Sequence, residues 1–279
     1  MISSPPATLS PITGARDLVS VLRGEAASRR AVDPGLAGGL REWLEDGVAG
    51  PVASLEPGAT PVVVDSRMHL SVADGKAGRG QVPNLPLLRA AMVTVLFRQL
   101  VTTGHLGNPL VDAMEVLATE DRGPELAAFA SRLRPEELNL LRSQLADDAA
   151  TMTLRWPRIP PAWLPRTADR LTVPLAGGRV VLVGVADLVL GAPPVDRASV
   201  CLVEVRSAAP TEEHRRTRTY LSLLESLRSG APPCRVATYY SGSGVLEAEE
   251  PRDEEIATLV PDLIATIAER CRTMVGKAA

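Results

Sequence analysis

Apolar residues recur along this chain first at helical spacing and then in strand-like runs. Segment 15–31 predicts a short helix and 36–46 another, with Leu36, Leu40, Trp43 and Leu44 along one face. Gly and Pro between 47 and 61 predict a loop, Pro61–Asp65 a short strand, and Asp74–Gly80 a turn. Leu87–Val101 is the strongest helical stretch, with Leu88, Met92, Val95, Leu96 and Gln99 on one side, and Gly104 and Gly107 end it. Pro109, Pro124 and Pro135 then open helices reaching Thr119, Leu133 and Met152, because proline at the first turn loses no hydrogen bond the helix would otherwise make.

Beyond this helical middle the rhythm changes. Pro157–Pro165, flanked by Trp156 and Trp163, cannot be helix and predicts an extended connector pinned by its tryptophans. Arg170–Leu175 and Arg179–Leu190 flank Gly177-Gly178, the pattern of a β-hairpin. Ser199–Val205 is nearly all apolar, as a strand covered on both faces should be. His214–Arg228 follows as a helix with Tyr220, Leu223, Leu224 and Leu227 as its apolar stripe. Arg235–Tyr240 and Val245–Glu249 predict two strands about the Ser241–Gly244 turn, and Asp253–Met274 a closing helix with acids at its start. The fold class expected is α+β (mixed α/β), with a central mixed sheet flanked by helices. Three regions are expected: a disordered tail over 1–14, a mainly helical part over 15–155 and a β-rich core over 156–279.

Composition narrows this picture. A chain of 279 residues with 45% hydrophobic content can bury a large core, and 3% aromatic content means Leu, Val, Ala and Ile must build it. A net charge of −3 argues against a protein that coats nucleic acid indiscriminately, though not against a local basic groove. Lys76 and Lys277 are the only lysines, so arginine carries nearly all the positive charge. Cys201, Cys234 and Cys271 are scattered and His69, His105 and His214 isolated, which predicts buried free thiols and no zinc site. With no signal-like opening and apolar runs shorter than a membrane span, the expectation is a soluble cytoplasmic protein.

The candidate chemistry lies between Leu171 and Tyr240. Asp187 sits late in the second hairpin arm, and the next strand ends in Glu204-Val-Arg206. Glu204 and Arg206 are two apart on one strand and so share a face. Two converging carboxylates repel, and one tends to protonate unless a cation sits between them. Mg²⁺ or Mn²⁺ there would also acidify a bound water and neutralise a phosphoryl oxygen. The plainer alternatives are a strand-end aspartate, a solvated Glu–Arg pair, Arg216 as an ion-pair partner, and Tyr220 as core packing.

These residues, in the order hairpin, strand, Arg-rich helix with Tyr, strand, resemble the PD-(D/E)XK nuclease superfamily, the restriction-endonuclease-like fold. The branch they approach is that of recombination and CRISPR-associated exonucleases. The resemblance implies that Asp187 and Glu204 bind Mg²⁺ or Mn²⁺ and that Arg206 occupies the position of the motif lysine. It further implies that Arg216 and Tyr220 support the site or nucleic acid from the helix, Arg216 standing where the branch often has glutamine. The implied activity is metal-dependent hydrolysis of DNA phosphodiester bonds, with a protein partner in a DNA-processing or defence complex. Arginine cannot shed its proton as lysine can, but it clamps phosphate in a planar fork. The alternative is therefore a catalytically inactive nuclease-fold subunit that binds nucleic acid or a partner protein, and a purely structural α+β domain is a third. For the family's upstream metal-binding residue, Glu115, Glu120 and Asp169 are the candidates.

Overall fold

The structure is a computed structural model and describes residues 18, 20–22, 31–66, 82–119, 123–192 and 197–278. The N-terminal tail, most of the 15–31 helix, the Asp74–Gly80 turn and Glu120 lie outside the described residues. Side-chain caps start several helices. Asp33 accepts from the Gly35 N–H at the head of α1 (Pro34–Ala53), Asn84 from Leu87 at α2 (Leu85–Thr103), and Asn108 from Val111 at α3 (Pro109–Leu117). The helices α4 (Gly123–Ala130) and α5 (Pro135–Arg155) complete the helical middle. Helix α1 runs past the expected stop at residue 46, through Pro51. The reason is packing on the closing helix α7 (Asp253–Ala278): a Cβ on Gly47 would fall 2.3 Å from Ile264 Cδ1, so only glycine permits the approach.

Among the described residues six strands form one mixed sheet. They are β1 (Val62–Asp65), β2 (Arg166–Leu175), β3 (Val180–Leu190), β4 (Cys201–Arg206), β5 (Arg235–Tyr240) and β6 (Val245–Glu249). Helix α6 (Glu212–Ser229), capped by Thr211, carries the chain from β4 to β5, which lies parallel to β4. The long strand β3 organises the sheet. Along one edge β2 pairs with it antiparallel over nearly its whole length. Its other edge is divided: β1 pairs in parallel with Val180–Val183, and β4 pairs antiparallel with Leu188–Leu190.

Helices cover both faces. Leu88, Met92, Leu96 and Phe97 of α2 pack with Leu141 and Leu145 of α5 against Val203, Val205 and Tyr239. On the other face, α1, α6 and α7 bury Leu44, Leu223, Leu224 and Leu263 against Val64, Leu171 and Leu182. Helix α2 has the length and apolarity of a membrane span by composition, but here it is the core helix of the first layer. Trp156 fixes the start of the connector, its ring edge-on to Phe97 at 4.7 Å and to Tyr239 at 4.9 Å. All three cysteines are free and buried.

Candidate functional site

The divided edge of β3 makes the site. Strands β1 and β4 run toward each other along that edge, and both stop with their C-terminal ends facing a stretch, Gly184–Asp187, that neither pairs with. The opening is a cleft of about 680 Å³ between the sheet and α2, with Asp65, Asp187, Glu204 and Arg206 among its lining residues. The floor is thin-walled by design of the sequence. A Cβ on Gly184 would lie 2.7 Å from Leu224 Cδ1 and 2.8 Å from Leu221 Cδ2, so glycine lets α6 press against the strand from behind.

Strand β3 also changes phase here. Leu182 and Ala186 face the α6 layer, yet Leu188 and Leu190 face the α2 layer, so the two-residue alternation slips around Asp187. On β2 the residue level with Asp187, Ala168, is skipped by the ladder and holds a φ of +54°. Continuing the β3–β4 register one step beyond Leu188–Val203 sets Asp187 opposite Glu204. The two acids therefore come next on the two strands beyond the last ladder pair, and both line the cleft.

Each acid is met by an arginine. Asp187 Oδ2 accepts the Val205 N–H at 2.8 Å, filling the place of a ladder bond, while Arg98 Nη2 of α2 lies 3.7 Å from Oδ1. Burial pushes the Asp187 carboxyl up, opposed by that N–H and by the charges of Arg206 and Arg98. Glu204 has a side chain only 6% exposed, and Arg206 Nη2 donates to its Oε1 at 2.6 Å. The end of β4 is held from the helical layer. Ser241 N donates to Arg206 O at 2.9 Å, and Ser241 Oγ donates to Asp148 Oδ1 at 2.8 Å. The buried Asp148 in turn takes a two-point grip from Arg89, at 2.9 and 3.0 Å.

The helix residues named from the sequence lie away from the cleft lining. The Tyr220 hydroxyl is fully buried, 2.9 Å from Val64 O and 3.2 Å from Val183 O, where it straddles the β1–β3 seam, and burial raises its pKa. Arg216 is exposed on α6. Glu115 is exposed on α3, and Asp169 pairs with Arg166 at 3.4 Å. Beside the site His214 Nδ1 lies 3.3 Å from Tyr240 Oη, and that hydroxyl donates to Glu247 at 3.1 Å. A carboxylate only accepts, so His214 carries its proton on Nδ1. Burial, then the charges of Arg206 and Arg218, push its pKa down to about 4.

Three charged lining residues escaped the sequence reading as site candidates: Asp65, Arg98 and Arg170. Asp65 ends an apolar run just as Asp187 nearly does, and Arg98 is the one charge in the apolar second half of α2; both were visible signals. A divalent cation at Asp187 and Glu204 would have to displace two arginines. Among the described residues no group of three or more His, Cys, Asp or Glu side chains is arranged to hold a metal ion. As arranged, these residues suit arginine neutralisation better than a resident cation. No protein-family model and no curated protein matches the chain.

Proposed function

We propose that this chain is a restriction-endonuclease-like protein that binds the phosphodiester backbone of DNA in the β3 cleft without cutting it. One observation carries the reading: Arg206, at the position of the motif lysine, lies 2.6 Å from Glu204. An arginine guanidinium keeps its proton, so it cannot take one from an attacking water. It retains the geometry to grip a phosphate. Its Nε–H is buried with no acceptor, so a swing of the guanidinium toward an incoming anion gains a hydrogen bond. The fold part of the reading is supported by the sequence of β2–β3 hairpin, β4, α6 with Tyr220, and parallel β5.

Metal-dependent DNA hydrolysis is the second reading, favoured by Asp187 and Glu204 lining one cleft from adjacent strands. One experiment separates the two. Purified protein is incubated with labelled single- and double-stranded DNA in Mg²⁺, Mn²⁺ or EDTA, and both binding and cleavage are scored. The non-cutting reading expects retained label in all three conditions and binding that EDTA leaves unchanged. Cleavage that requires Mg²⁺ or Mn²⁺ and disappears in Asp187→Ala overturns it in favour of hydrolysis. An absence of binding to either DNA rejects both and leaves a protein partner as the ligand class.

A further inference from the structure

Three arginines line the cleft, and two of them already face acids: Arg98 lies against Asp187 and Arg206 against Glu204. Arg170 differs. It is exposed, it pairs through its backbone with Val185, and its side chain has no ion-pair or hydrogen-bond partner among the described residues. Its ladder position is two residues from Asp187 along β3, an offset of about 7 Å. That offset is comparable with the step between successive phosphates of an extended nucleic-acid strand.

The shape of the cleft limits what can reach it. Its volume of about 680 Å³ falls within the roughly 300–1,000 Å³ of pockets that enclose small-molecule-sized ligands. That is room for a nucleotide or two, whereas a duplex presents a major groove alone about 12 Å wide. One wall is α2, contributing Ala90, Ala91 and Thr94, and the opposite floor is Val183–Val185. No aromatic ring lines it among the described residues, so base stacking supplies no grip and the backbone must.

From these observations we infer that the cleft admits a single strand in preference to a duplex, and that Arg170 anchors the backbone phosphate adjoining the Asp187–Glu204 position. This rests on the reading of the cleft as a phosphodiester-binding site. The arginine acts as a sequence-indifferent point of attachment, contributing one phosphate contact. Substitution costs the fold little, because the ladder uses only the backbone of Arg170 and its side chain is exposed.

The test is fluorescence anisotropy of full-length wild type, Arg170→Ala and Arg170→Lys with a labelled single-stranded deoxyoligonucleotide and its blunt duplex, across a salt series. Wild type is expected to bind the single strand at least tenfold more tightly than the duplex. Arg170→Ala should weaken single-strand binding about tenfold for two unrelated sequences alike. It should also flatten the slope of log K against log salt by about 0.7, the value for one phosphate contact on a single strand. Arg170→Lys should restore the slope. Binding by wild type with an unchanged slope in Arg170→Ala overturns the role of Arg170 alone. Equal or tighter duplex binding overturns the single-strand preference. Failure of wild type to bind either probe overturns the inference together with the reading beneath it.

Discussion

Removal of Arg89 should expose how far the site depends on a clamp outside it. Arg89 grips Asp148 through two charge-assisted hydrogen bonds, and the Asp148 side chain is completely buried while that of Arg89 is 23% exposed. Arg89→Met therefore strands a carboxylate in the interior with the Ser241 hydroxyl still donating to it. Breaking a buried pair from one side costs about 3–5 kcal/mol. The partial exposure of Arg89 admits some water, which places the expected loss near the lower end, about 3 kcal/mol. For a chain of this size that is a fall in Tm of roughly 6–10 °C. The double variant Arg89→Met/Asp148→Leu removes both charges and should lose clearly less than the single, because no charge is left behind. Urea denaturation at pH 7 with midpoints and m-values read for all three proteins measures both quantities. A single-variant loss under about 1 kcal/mol, or a double variant at least as unstable as the single, would falsify the account of Asp148 as a charge kept buried by Arg89.

Other expectations follow from the cleft itself. Gly184→Ala drives a methyl group into Leu221 and Leu224, both fully packed, and should cost about 1–2 kcal/mol after the gain from losing glycine flexibility; a neutral urea midpoint would contradict that packing. Tyr220→Phe removes the hydroxyl at the β1–β3 seam, costing about 1 kcal/mol and speeding amide exchange in Val62–Asp65; unchanged exchange there would refute the bridging role. His214, held at about 4, should stay neutral on NMR titration down to pH 5, and a midpoint above 6 would sink the assignment. A depressed histidine favours the folded state above its ordinary pKa and loses that contribution as pH falls through the window from about 6.5 toward 4. The raised carboxyl of Asp187 works the other way. Its contribution is present below the ordinary aspartate range and is lost as pH rises through its folded value, so Asp187→Asn should gain on wild type between pH 3.5 and 7; a gap in Tm that does not widen with pH counts against it.

Much of this architecture was legible in the sequence wherever local pattern and tertiary packing agree. First-turn prolines opened α3 and α5, and the apolar run before Glu204 became a strand buried on both faces. Local rules failed where packing overrode them. Pro51 sits inside α1, which lies against α7 through Gly47 and Ile264. The site shows the same division. That Asp187 and Glu204 reach one cleft could be read from the order of the strands, because both lie on strands that neighbour each other in the chain. Asp65 and Arg98 stand out locally as charges beside apolar runs, but nothing local says that β1 will pair in parallel with β3 or that α2 will lie across the gap and bring them to it. Arg216 was chosen for its place one turn before Tyr220, but Tyr220 enters the core behind β3 while Arg216 stays exposed, outside the cleft lining.

The split partnership of β3 has a consequence for assembly. Its hairpin with β2 closes over a short loop and can form early, whereas β1 must return across the whole helical middle of the chain before Val62 meets Val180. Long-range parallel pairing of that kind bears the greater loop-closure entropy and is slow. The two halves of the cleft therefore mature at different times, and a polypeptide still emerging from the ribosome holds Asp65 and Arg98 long before it owns the partners that give them a purpose.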